Sequence, residues 1–195
     1  LATSGHMFAD ADETRSVALQ SSSPQFAEWA AAVGNSIAIL GFCELGDAGE
    51  ADLHARFRAA PGARDSPRRH RGDGLLLEFG ELTRRVALDG AELILAPVNW
   101  PLFPRPEGER PGEVITAMST ARTNKVAVAA CDDCGVERGQ QWTAGTALVD
   151  PDGWVVTAAG DGVGMAFVDI ELSRTHDKSL TEYADVLGDR RVDLS

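Results

Sequence analysis

Apolar and polar positions along this chain switch between two periods, and the switches mark its elements. Ser23-Pro24 sets a helix start, with a serine at the cap and proline at the first helical position, and the run from Gln25 to Val33 carries helical spacing. Ser36 to Phe42 is short and nearly all apolar, which predicts a buried strand. A second helix–strand pair follows from Leu77 to Leu88, closed by Gly90 as a C-cap, and from Glu92 to Pro97, stopped by proline. Glu113 to Asn124 is again helical in spacing, and Lys125 to Cys131 is a strand of small and β-branched residues. Thr146 to Val149 and Trp154 to Ala158 flank Asp150-Pro151-Asp152-Gly153, a turn signal that predicts a hairpin, and Met165 to Ile170 predicts a further strand. Helix–strand pairs followed by a hairpin predict an α/β fold with mixed sheets.

One tract breaks the rhythm. Ala51 to Asp73, ADLHARFRAAPGARDSPRRHRGD, crowds Arg56, Arg58, Arg64, Arg68, Arg69 and Arg71 among Ala, Pro and Gly with almost no apolar periodicity, which predicts a linker or loop. An anion- or RNA-binding arm is the sharper alternative, but only Phe57 is available for stacking and no nucleic-acid fold signature surrounds it. Arg, Ala, Pro and Gly are also what GC-rich codons yield out of frame. The tract is therefore expected to be a frameshifted or deleted remnant, and translating the coding DNA in its other two frames tests this against a natural linker.

Composition narrows the partners. With 195 residues, 44% hydrophobic and 25% charged, the chain is an ordinary globular protein, expected as a single domain over 1–195. A formal net charge of −12 argues against a nucleic-acid or anionic-membrane surface, since both select for a basic face. No run approaches the roughly 20 apolar residues of a membrane-spanning helix, and the first residues lack a secretory layout, so a cytoplasmic setting is expected. Its cysteines, Cys43, Cys131 and Cys134, are too few and too odd in number for a disulfide framework.

The candidate chemistry in these residues is thin. Cys131 and Cys134 have C-x-x-C spacing, but a structural zinc needs a second pair or histidines, and His6, His54, His70 and His176 are scattered. A thioredoxin-type pair opens a helix, whereas this one precedes Gly135 and a polar loop. Strand-end packing is the expected role, with no metal and no cofactor. Cys43, in GFCEL, is expected to be a buried structural thiol, and Glu44 has no nameable partner as a base. Glu81 with Arg84 or Arg85 is expected to form helix or interface salt bridges.

Two segments carry a resemblance. LEFGELTRRVALDGAELILAPVNW, from Leu77 to Trp100, and EVITAMSTARTNKVAVAACDDCGVERGQQWTAGTALVDPDGWVV, from Glu113 to Val156, together resemble the carbon–nitrogen hydrolases, the nitrilase and aliphatic-amidase superfamily. GDRRVDLS resembles the D-x-R-x-D-L tail of that family, and the AACDDCG strand end resembles its AAC-N-x-x-G. The resemblance covers roughly Leu1 to Glu50 and Leu77 to Ser195. It implies an αββα sandwich of the nitrilase type, incomplete here because the first strand and helix and a central strand are missing. Unpaired edges would then weaken folding.

The implied activity is hydrolysis of non-peptide C–N bonds in small amides or nitriles through a cysteine thioester, using Cys, Glu and Lys. The nucleophile of that family stands a few residues before LEFPEL, which falls on Gly74, and Gly80 replaces the motif's proline. Its glutamate would sit immediately ahead of Leu1, and its lysine lies in the region that Ala51 to Asp73 occupies, since Lys125 and Lys178 match other positions. The resemblance thus implies a chain without its catalytic triad, inactive as written. The alternative is a non-catalytic binding or oligomerisation scaffold.

Asn99 and Trp100 are the candidate substrate-pocket residues, because resembling enzymes line the acyl pocket from this strand end. The competing role is an aromatic anchor beneath the proline-rich loop from Pro101 to Pro111. The family also commonly pairs subunits through the helix after its nucleophile, which implies a homodimer through Phe79 to Leu88.

Overall fold

The computed structural model of the chain describes residues 7–20, 22–34, 36, 38–45, 51–58 and 77–194. The first helix, α1 (Ala11–Val17), starts at Asp10, whose carboxylate accepts the N–H groups of Asp12 and Glu13 and so satisfies two donors that a helix start leaves open. Helix α2 (Pro24–Val33) begins at the proline the sequence marks, and Phe26 carries it onto the next strand through a ring contact of 4.8 Å with Phe42.

Strand β1 (Ala38–Leu45) pairs antiparallel with β2 (Ala51–Arg58), from Ala38 opposite Arg58 to Leu45 opposite Ala51. The expectation of a linker over 51–73 is therefore corrected for its first eight residues. Ala51, Leu53, Ala55 and Phe57 alternate with Asp52, His54, Arg56 and Arg58, a strand period that the aperiodic arginine-rich run after it conceals. The remainder of that tract lies outside the described residues.

Helix α3 (Gly80–Leu88) starts three residues later than its apolar pattern, with Leu77 buried in the turn ahead of it. It ends as Gly90 predicts. Gly90 takes φ +91°, its N–H donates to Ala87 O at 3.1 Å, and Ala91 N–H donates to Val86 O at 3.0 Å, a Schellman closure. Strand β3 (Leu93–Pro97), helix α4 (Gly112–Asn124) and strand β4 (Ala127–Cys131) follow, and β3 and β4 are parallel from Leu93 opposite Ala127 to Pro97 opposite Cys131. A short hairpin of β5 (Val136–Glu137) and β6 (Gln140–Gln141) precedes the predicted hairpin of β7 (Ala147–Val149) and β8 (Val155–Ala158). The sheet order is β3-β4-β7-β8, so the fold is mixed α/β.

The core lies between this sheet and its two helices. Ala87 of α3 and Val114, Ala117 and Ala121 of α4 pack with Ile94, Ala96, Val128, Ala130, Ala147 and Val149 of the strands. Gly153 is what lets the hairpin turn sit on α4: a Cβ there would meet Arg122 Cβ at 2.7 Å and Met118 O at 2.8 Å. Ion pairs fasten the same corner. Lys125 Nζ lies 2.7 Å from Asp152 Oδ1, Arg174 reaches Asp152 at 2.5 Å, and Lys178 Nζ donates to Lys125 O at 2.9 Å.

The strand expected from Met165 to Ile170 does not form. Residues 164–171 have no secondary structure, and Val163, Met165 and Phe167 are exposed. An alternating pattern needs a ladder partner, and none pairs with this segment among the described residues. The chain closes with a 3-10 turn, Leu172–His176, then β9 (Ser179–Thr181) paired with β10 (Ala184–Asp185), and a second turn, Val192–Leu194. Among the described residues no helix is long and apolar enough to cross a membrane.

Candidate functional site

Parallel pairing of β3 and β4 brings their carboxyl ends to one level. Val98 N–H extends the ladder to Cys131 O at 2.9 Å, after which Asn99-Trp100 leaves the sheet beside Asp132-Asp133. Asp132 holds this junction together. One carboxylate oxygen accepts Trp100 N–H and the other accepts Gly145 N–H, each at 2.8 Å. Thr146 Oγ1 accepts Asp132 N–H at 2.9 Å and lies 3.1 Å from Asp132 O, so the β4 end is tied to the start of β7 by side chain and backbone alike.

Asp133 works alongside it. Asn99 Nδ2 donates to Asp133 Oδ2 at 3.3 Å, Cys134 N–H donates to Asp133 Oδ1 at 2.7 Å, and Ala144 N–H donates to Asp133 O at 3.1 Å. Thr143 then closes the ring, donating its N–H to Trp100 O at 2.8 Å and its hydroxyl to Pro101 O at 3.0 Å. The Trp100 ring is buried against Gly145, and its indole N–H meets no hydrogen-bond acceptor among the described residues.

The electrostatics follow from this geometry. Burial raises the Asp132 carboxyl above its ordinary value, while the N–H groups of Trp100, Gly145 and Asp133 pull it back. Partial shielding raises the Cys131 thiol, and the Asp132 and Asp133 carboxylates push it the same way. Cys131 is exposed at the strand end. A thiol held protonated is a poor nucleophile near neutral pH.

The structure thus brings Asn99 and Trp100 together with each other and with three groups that sequence reasoning missed, Asp132, Gly145 and Thr146. Strand register was the signal that could have found them, because whatever follows Cys131 must face whatever follows Pro97. Gly74, the position of the absent nucleophile, lies outside the described residues, as do Leu1 and residues 59–76. Cys43 is fully buried in β1, as expected of a structural thiol, and Glu44 is buried beside it. Among the described residues no group of three His, Cys, Asp or Glu side chains could hold a metal ion. The expected Glu81 salt bridge is corrected: Arg85 pairs with Asp89 one turn on, and Arg84 donates to Val186 O at 3.0 Å.

Parallel β3 and β4 with side chains gathered beyond their carboxyl ends define an α/β sheet protein, a class in which ligands bind outside the strand tips. The sequence profile of the carbon–nitrogen hydrolases matches residues 77–178, just over half of the sequence and including every residue of this junction. The chain belongs to the carbon–nitrogen hydrolase family.

Solved structures give weaker likenesses. A mutant of the amidase from Nesterenkonia sp. AN1, with the acetamide moiety of fluoroacetamide added covalently at its active-site cysteine, is 29% identical, with 62% of this chain and 40% of that one covered at a TM-score of 0.48. Another mutant of the same amidase, in complex with butyramide, is 28% identical over 60% and 39% at 0.44. A carbon–nitrogen hydrolase from Helicobacter pylori G27 is 22% identical over 60% and 44% at 0.49. This chain therefore spans less than half the length of the enzymes it matches. No curated protein sequence gives a significant match.

Proposed function

We propose that this chain is a carbon–nitrogen hydrolase scaffold whose β3 and β4 ends receive the acyl part of a small linear amide or nitrile, without covalent turnover in the sequence as written. The observation that carries the binding half is the fixed junction of Asn99 and Trp100 with Asp132 and Asp133 at the strand tips. The inactive half rests on the resemblance that aligns the family's nucleophile with Gly74. Thioester chemistry requires a thiolate, a proton-shuttling carboxylate and a donor for the developing negative charge. Two of the three described thiols are ill suited to replace it: Cys43 is buried, and burial with the neighbouring carboxylates raises the Cys131 thiol.

Ammonia release from acetamide and acetonitrile, measured beside calorimetric binding of acetamide, tests both halves. The expected result is binding without ammonia. Release that iodoacetamide abolishes would show a working cysteine and overturn the inactive reading; absence of binding would overturn the pocket.

A second reading is an oligomerisation scaffold, a homodimer through Phe79 to Leu88. The exposure of Phe79, Leu82 and Leu88 on and beside α3, at 49%, 47% and 42%, supports it. Light scattering after gel filtration is expected to give twice the chain mass for the wild type and a monomer for Leu82→Asp. A wild-type monomer at high concentration would sink this reading. A cytoplasmic setting belongs to the same proposal, with none of the three cysteines in a disulfide.

A further inference from the structure

One carboxylate spans the β3–β4 junction. Asp132 accepts from the β3 exit, at Trp100 N–H, and from the loop ahead of β7, at Gly145 N–H. Those two segments also meet directly, since a Cβ at Gly145 would stand 2.9 Å from Trp100 Cε3 and 3.3 Å from Asp132 Oδ2. The indole is therefore wedged against a glycine whose N–H the same carboxylate holds. An ionised carboxylate offers strong acceptors on both oxygens, whereas a carboxylic acid turns one of them into a hydroxyl, a weaker acceptor for an N–H.

We propose that Asp132 is a positioning residue for Trp100 at the strand ends, and that its protonation opens one arm of the clamp and releases the indole. Its role toward a ligand rests on the binding reading above; the clamp itself does not. The groups that face it are simple to enumerate. Cys131, Asp133 and Cys134 flank it on its own strand end, while the packed segments 98–101 and 143–146 carry no titratable side chain. In acid, where the flanking thiols stay protonated, a change in Trp100 therefore has Asp132 or Asp133 as its source, and Asp133 faces Asn99 and Cys134. Burial places the Asp132 transition above that of an ordinary aspartate.

Nitrogen–proton correlation spectra of the full chain across pH, with Asp132→Asn and Asp133→Asn beside the wild type, provide the test. Asparagine keeps the shape at position 132 and one acceptor, and it is the residue that the resembling strand-end pattern carries, so this variant is expected to fold. The Trp100 amide, the Gly145 amide and the Trp100 indole signals are expected to shift together with one midpoint. That midpoint should persist in Asp133→Asn and vanish in Asp132→Asn. Separate midpoints for the two amides, or a transition that follows Asp133, would overturn the proposal. Acetamide binding is then measured on both sides of the midpoint. Weaker binding on the acid side, absent in Asp132→Asn, supports the positioning role, and binding indifferent to the transition overturns it. No binding at any pH, with the coupled shifts intact, instead sinks the pocket reading while the clamp stands.

Discussion

Gly145 lies against Trp100 so closely that a methyl group at position 145 would stand 2.9 Å from Trp100 Cε3 and 3.0 Å from Cζ3. Real Cβ atoms do not sit that close, so either the indole or the loop must move. Overpacking of this kind costs about 1–3 kcal/mol. Gly145→Ala is expected to lose stability in that range by urea unfolding and to shift the Trp100 indole resonance. A variant of unchanged stability and unchanged indole signal would show that the ring is not wedged.

Gly153 is constrained twice, by φ +86° and by the 2.7 Å approach of its would-be Cβ to Arg122 Cβ. A side chain there adds backbone strain of roughly 1–3 kcal/mol to the steric cost. Gly153→Ala is predicted to lower the melting temperature more than Gly145→Ala does. The reverse order would mean that the hairpin turn does not seat on α4.

The Asp132 carboxyl is raised in the folded chain, so folding favours its protonated form. Its contribution to stability is therefore greatest at low pH and declines as pH rises from the ordinary aspartate range through the raised value. Wild type minus Asp132→Asn, followed by denaturant unfolding across that window, should fall with increasing pH. A difference that grows with pH would reverse the sign and with it the role of burial.

Asp152 behaves in the opposite sense. The Lys125 hydrogen bond, opposed by burial and aided by the charges of Lys125 and Arg174, holds its carboxyl below the ordinary range. That stabilisation is present above the unfolded value and is lost as pH falls through the lowered one. Its side chain is 40% exposed, so solvent screening limits the effect to at most about 1 kcal/mol. Asp152→Asn is expected to be less stable than wild type near neutrality and equal to it in strong acid, by thermal unfolding.

Cysteine accessibility gives an independent check on the fold. Iodoacetamide is expected to spare Cys43 until the chain unfolds, because its side chain is fully buried. Cys131 should react, but with a rate that keeps climbing past the ordinary thiol range, since shielding and two carboxylates disfavour its thiolate. Prompt labelling of Cys43 in native buffer would contradict the placement of β1.

Local chemistry made much of this fold legible. Ser23-Pro24 marks the start of α2, Gly90 closes α3, and Asp150-Pro151-Asp152-Gly153 turns the hairpin, each because a short segment dictates its own backbone. What stayed hidden depended on distant partners. The alternation of β2 was obscured by the arginine-rich run after it, and that of Met165 to Ile170 found no ladder to join. The place of Asn99 and Trp100 just beyond β3 was readable from the proline that stops that strand. Asp132 was not, since its importance comes from the register that sets Pro97 opposite Cys131 and from a loop thirteen positions downstream.

The corner where α4 ends also decides how the chain presents its amines. Lys125 and Lys178 are its only lysines, and both are committed there, one to Asp152 and the other to the carbonyls that close the helix. The side-chain amines of this protein are thus structural fasteners, and acylating them would loosen the same corner from both sides. Amine-directed immobilisation or cross-linking would take hold of the molecule at the point where its last third is anchored to the sheet.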